Sequence, residues 1–285
     1  MTSEAPLANA LAGLTPGQRA RLTLELARRK ATRKTAVPVL SRTPGAENAF
    51  PSSPGQERLW YLHALEPDST AYVLPIVLRL RGAVDVTALQ GSLGALVARH
   101  EALRTVFREG RDGQIQQIVL PGGGVPLPVT DAPAGEDEDT LWRRVREEVS
   151  RPFDLARGPL VRARLLRRAD SGAGPEAVLV LCVHHIVVDG WSLGVLVGEL
   201  AENYAARVAG RPPVLPPLAV QYADFAVWQR ESLSGERLAE QLSFWRTELE
   251  GAPILDVPGD RSRSAEQSFA GDSVRVGIPA SLVSG

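Results

Sequence analysis

The sequence holds a single cysteine, Cys182, in 285 residues. That excludes a disulfide framework within the chain and suits a reducing compartment. Net charge is also nearly absent: 32 basic residues face 33 acidic ones, for a formal charge of -1. This balance gives no reason to expect nucleic acid or an anionic surface as partner. No apolar run approaches the ~18 residues that span a bilayer. The N-terminus lacks the charged-then-apolar order of a secretory signal. Together these point to the cytoplasm, with no membrane contact. No P-loop or dinucleotide fingerprint occurs, since Gly122-Gly123-Gly124 lacks the required spacing. There is no internal repeat.

What is present is a patterned chain, 44% hydrophobic and 23% charged. Thr15, Pro16 and Gln18 read as a helix start with a capping box. Leu22 and Leu26 share one face of that helix, and Arg28, Arg29, Lys30, Arg33 and Lys34 follow. Residues 36–48, with Pro38, Pro44 and Gly45, read as a linker. Strands are expected at 72–80, 114–120, 159–166 and 177–183, and helices at 85–100 and 141–150. The helix at 85–100 turns Leu89, Leu93, Leu96 and Val97 inward. Residues 121–138 read as a loop whose acidic end opens the next helix. The fold class is therefore α/β, a mixed sheet with helices packed on it.

Residues 183–192 read Val-His-His-Ile-Val-Val-Asp-Gly-Trp-Ser. They follow an unbroken apolar run at 178–183 and precede helical periodicity over 192–208. The two histidines therefore stand where a buried strand ends. Asp189-Gly190 makes the turn, and Asp189 or Ser192 caps the helix. Neighbours on a strand point to opposite faces, so one histidine looks into a cleft and the other into packing. That divergence, with no further histidine or cysteine cluster, argues against a metal site. Cys182, in the same strand, reads as a small core thiol. Gly190 leaves room for a backbone turn or a close substrate approach.

These residues resemble the HHxxxDG signature of condensation domains from non-ribosomal peptide synthetases, within the chloramphenicol-acetyltransferase-like superfamily. Three more segments resemble the family's motifs, in order. Ser-Pro-Gly-Gln-Glu-Arg-Leu-Trp-Tyr-Leu at 53–62 is similar to its opening motif, with Gly55 where alanine is usual. Arg-His-Glu-Ala-Leu-Arg-Thr-Val-Phe at 99–107 matches a second, and Tyr-Ala-Asp-Phe-Ala-Val-Trp-Gln at 222–229 a third.

The resemblance implies an acetyltransferase-like lobe and a site between two such lobes. It divides the chain into a basic helix and linker at 1–49, a first lobe at 50–215 and the start of a second at 216–285. Helices at 222–229 and 238–249 and a strand at 273–279 would belong to the latter. The implied reaction joins a carrier-bound aminoacyl or peptidyl thioester donor to an aminoacyl acceptor. No cofactor is bound directly. Both substrates ride on phosphopantetheine arms of carrier domains, because the chain has no attachment serine in a Gly-Gly-x-Ser context and no adenylating module. Partners would be those carriers and other synthetase modules, docked through the N-terminal helix.

His185 matches the active-site histidine, as base or as positioner. His184, Asp189 and Gly190 support it. His184 is expected in packing, and Asp189 in a salt bridge for which Arg58 and Arg104 are candidates, unless the partner lies in the second lobe. Trp60, Trp191 and Trp228 are expected as core anchors, His100 as structural and His63 as a surface residue. Two other readings stay open: an acyltransferase using coenzyme A thioesters, and a catalytically inactive fragment or interaction module. The stretch around the histidines looks like the class that joins two L-residues.

Overall fold

The computed structural model describes residues 37–133, 136–168, 174–253, 274 and 276–283. The expected N-terminal helix lies outside them. The chain forms two compact units, Met1–Ala239 and Glu240–Gly285. The described elements, in chain order, are β1 (Asn48–Pro51), α1 (Pro54–Leu65), β2 (Val73–Arg81), α2 (Val86–Arg99), β3 (Thr105–Glu109), β4 (Ile115–Val119), β5 (Val129–Asp131), α3 (Glu138–Val149), β6 (Val161–Arg168), β7 (Glu176–His184), α4 (Gly190–Val208), α5 (Tyr222–Ser232), α6 (Gly235–Glu248) and α7 (Ala280–Val283). Among the described residues no helix is long and apolar enough to cross a membrane.

The first unit is built on two sheets. One has the order β1-β4-β3 and is antiparallel. The other has the order β2-β7-β6-β5, antiparallel except where β5 runs parallel to β6. This is the mixed sheet with packed helices that the pattern predicts. Strand β7 lies inside the larger sheet and is covered on both faces. Ala177, Leu179, Leu181 and Val183 join Leu89, Leu93 and Leu96 of α2 and Leu196 and Leu200 of α4 in one core. Val178, Val180 and Cys182 join Leu141 and Val145 of α3, with Phe153, in a second core. Double coverage is why β7 reads as a continuous apolar run rather than an alternating one. Each side chain of this kind contributes about 1.5–3 kcal/mol when fully buried, so the strand's end is a fixed point.

Four sequence expectations are corrected. The 36–48 segment is not a loose linker where it is described. The Leu40 N–H donates to Asp224 Oδ1 at 2.9 Å, and Arg42 reaches Glu101 at 2.8 Å. Strand β3, Thr105–Glu109, forms between the expected helix at 85–100 and strand at 114–120, where no element is expected. Strand β5 forms inside the expected 121–138 loop, paired to β6. At 274 and 276–279 no strand is found. A strand requires a paired neighbour, and no described strand pairs there.

Candidate active site

Because β7 alternates, His184 falls on the same side as Val180 and Cys182, while His185 follows just after the strand. The backbone holds this register to the end: His184 N–H donates to Leu160 O at 3.0 Å and His185 N–H to Tyr72 O at 2.8 Å. His184 is 4% exposed. Its ring meets Phe153, His63 and Tyr72 with centroids 6.0, 6.2 and 6.5 Å away. The Ile186 N–H donates to His184 Nδ1 at 3.1 Å, so that nitrogen carries no proton and the neutral ring holds it on Nε2. Burial, reinforced by His63 and His185, pushes the His184 pKa down to about 4. This histidine is a neutral, packed ring at physiological pH.

His185 is half-buried, with the Tyr72 ring edge-on at 6.5 Å. Its side chain makes no hydrogen bond among the described residues, so the imidazole is left for another partner. Asp189 lies near enough to feel its charge. The structure buries His184 and leaves His185 half-buried just after the strand, with Tyr72 beside both rings.

Asp189 takes the capping role expected of it, and not a salt bridge with Arg58 or Arg104. It is the N-cap of α4: its Oδ1 accepts from Ser192 N at 2.8 Å and from Ser192 Oγ at 2.6 Å. Those donors hold its carboxyl below the usual range. Neither candidate arginine reaches it. Arg58 is exposed with no ion pair among the described residues. Arg104 donates to Leu120 O and lies 3.8 Å from Glu101. The helix N-terminus, rather than a guanidinium, satisfies this carboxylate. Trp191 is also not a core anchor, being 86% exposed in the first turn of α4. Gly190 has no positive φ, and a Cβ there would meet nothing within 4 Å. The backbone does not require it; a side chain there would stand in open space.

The other motifs form the frame. Ser53 and Gln56 make a reciprocal capping box at α1, with Ser53 N–H donating to Gln56 Oε1 at 2.9 Å and Gln56 N–H to Ser53 Oγ at 3.2 Å. Gln56 Nε2 then reaches Ile186 O at 3.4 Å, which ties the cap to the segment after the histidines. Ser53 Oγ also bonds Tyr222 OH at 2.9 Å. Arg42 joins Glu101 and Asp224, and Gln221 bonds the backbones of Arg99 and Glu101. Arg99 and His100 both hold Glu199 of α4, at 3.0 and 2.7 Å. His100 is structural, as expected. His63 is not the surface residue it resembles in sequence: it stands against His184, and burial lowers its pKa against the pull of Asp154. No local signal marks it, because its neighbour is set by how α1 crosses the end of β7.

The condensation-domain family model matches residues 46–284. This chain belongs to the condensation-domain family. It is 43% identical over 247 residues to malpinin synthetase of Mortierella alpina, covering 86% of this chain and 3% of that protein. It is 40% identical over 276 residues to phosphinothricin tripeptide synthetase PhsC of Streptomyces viridochromogenes, covering 95% of this chain and 25% of the relative. The crystal structure of the X-domain from teicoplanin biosynthesis superposes with a TM-score of 0.69 at 35% identity, over 81% of this chain and 49% of that one. The starter condensation domain of rhizomide synthetase superposes at 0.64 with 20% identity, over 72% of this chain and 49% of that one, a likeness of fold. The chain thus spans a small part of these synthetases and about half of the solved domains. The fold is the acetyltransferase-like lobe of the family.

Proposed function

We propose that this lobe supplies the histidine face of a non-ribosomal peptide synthetase condensation site. The substrates are a donor acyl group and an acceptor amino acid, each held as a thioester on the phosphopantetheine arm of a carrier domain. The observation that carries this reading is the split at the end of β7: His184 sealed and neutral, His185 open with no internal hydrogen bond.

The acceptor's α-amino nitrogen attacks the donor carbonyl. A C–N bond forms, the C–S bond breaks, and the proton lost from nitrogen balances the departing thiolate. His185, neutral, accepts a hydrogen bond or the proton from that amine as the tetrahedral centre develops. An α-amino group titrates near ~7.7–8.0, so a useful share is already unprotonated near neutral pH. Alignment of the two arms therefore carries more of the barrier than proton removal, and orientation can supply up to about 7–11 kcal/mol. The open space over Gly190 suits the approach of an arm. Carriers and neighbouring modules are the partners of this reading, and the cytoplasm its setting.

The test is His185→Ala in a complete synthetase carrying this segment, with both carriers loaded and amide formation followed in a single turnover. A loss of about 10²–10⁴-fold is expected if His185 acts in proton transfer. A near-wild-type rate would remove His185 from the chemistry.

A further inference from the structure

A cavity of about 240 Å³ opens where the end of α3 meets β6, on the proline-rich side of the lobe. Three arginines, Arg151, Arg162 and Arg164, converge in its wall on one buried carboxylate, Glu148. Arg151 Nη1 donates to Glu148 Oε1 at 3.0 Å. Arg162 Nε and Arg164 Nε lie 3.5 and 3.4 Å from the same carboxylate. Both of these Nε atoms are buried without a hydrogen-bond partner. Among the described residues none of the three arginines has a second carboxylate within ion-pair reach. The wall therefore carries two positive charges more than negative ones.

The three arginines are not equivalent. Arg162 is a structural clamp: its Nη groups hold the carbonyls of Glu148, Arg151 and Pro152, and its guanidinium covers the Phe153 ring at 3.8 Å. Arg164 makes no hydrogen bond among the described residues, and its side chain is 36% exposed. Arg151 is more exposed still, at 59%. These two stand at the rim with unused N–H donors in fork geometry, which matches the oxygens of a phosphate or carboxylate. Uncompensated charge beside a low-dielectric wall draws counter-ions strongly. The rest of the lining is apolar, with Pro126, Pro128 and Pro159.

We infer that this cavity is a binding site for a small oxyanion carrying a short apolar tail, with a phosphate ester as its best-matched ligand. Arg164 and Arg151 grip the anion, and the prolines cover the tail. None of residues 183–192 lines the cavity, and the inference does not rest on the proposed function.

Calorimetric titration of the 285-residue chain with inorganic phosphate and with n-butyl phosphate tests it, at ionic strength fixed with chloride. Saturable one-site binding is expected, tighter for butyl phosphate. Each charge-assisted hydrogen bond is worth about a tenfold change in affinity, so Arg164→Gln and Arg151→Gln should each weaken binding roughly tenfold. Both side chains reach solvent, so circular dichroism should show both variants folded. Glu148→Gln removes the competing carboxylate and should tighten binding; the arginine variants decide the matter if it does not fold. Equal affinity for the two probes would overturn the apolar-tail part of the inference and leave a site for free phosphate alone. Absence of saturable binding, or binding unchanged in Arg164→Gln, would overturn the inference.

Discussion

Asp224 and Asp189 are both motif aspartates at the start of a helix, and they live in opposite surroundings. Asp224 is 1% exposed, accepts the N–H groups of Leu40 and Gln221, and pairs with Arg42. Asp189 is exposed, and among the described residues its side-chain hydrogen bonds go to Ser192. The same contrast separates the whole frame from the segment it holds. The frame of Ser53, Gln56, Glu101, Gln221 and Asp224 is hydrogen-bonded and shielded. The stretch from His185 to Trp191 buries Ile186 and Val188 but leaves His185 half-exposed and Asp189, Gly190 and Trp191 at the surface. Matching a family motif therefore says little about whether a residue touches substrate. Burial and satisfied hydrogen bonding divide the matched residues into those that build and those left available.

The largest effect should come from breaking the frame. Asp224→Ala removes one of the two carboxylates on Arg42, which keeps Glu101, and leaves the part-buried N–H groups of Leu40 and Gln221 without their acceptor, at a cost of about 2–3 kcal/mol. Denaturant unfolding measures it; a loss below about 1 kcal/mol would erase the contrast with Asp189. The pH dependence has a definite sign. Burial pushes the Asp224 carboxyl up, but Arg42 and the N–H groups of Gln221 and Leu40 outweigh it and hold it low. Its contribution is thus present above the unfolded carboxylate pKa of about 3.9 and is lost as pH falls through the lower folded value.

Gln56→Ala should cost less, about 1–2 kcal/mol for half a capping box and the strut to Ile186. If the strut matters to the site, synthetase activity should fall further than this loss of stability explains. Gln56→Glu keeps the capping acceptor but loses the Nε2 donor, so activity retained in that variant would argue against the strut.

Asp189→Ala should be the mildest in stability, about 1 kcal/mol, the ordinary value of an N-cap. Asp189→Ser should restore most of it. Thermal melts of both separate this account from a buried salt bridge, which would cost several kcal/mol and would not be rescued by serine.

The sequence made the scaffold of the site readable and left its surroundings hidden. The apolar run of β7, the inward leucines of α2 and the cap at Asp189 are local properties of consecutive residues, and each is found in place. Strands β1 and β5 have four and three residues, too short for periodicity to register. Analogy assigns Asp189 an arginine, yet the helix N–H and hydroxyl three residues on meet its needs. His63 gains its role only through tertiary packing of α1 against the end of β7. Trp191 shows the reverse: a large aromatic that residue type alone sends inward stands exposed in the first turn of α4.

The adjacent histidines at the end of β7 differ in burial and bonding: one is a sealed neutral ring, the other an open one. Nuclear magnetic resonance of the isotope-labelled histidines, titrated from pH 8 to pH 4, tests this division most directly. His184 should stay neutral with its proton on Nε2 until about pH 4. Because its folded pKa lies below the unfolded value near 6.5, the unfolded chain takes up the proton first. The stability involved is fully present above pH ~6.5 and is lost, by about 3 kcal/mol, as pH falls toward 4. A His184 signal that titrates near 6.5, or that carries its proton on Nδ1, would contradict the division.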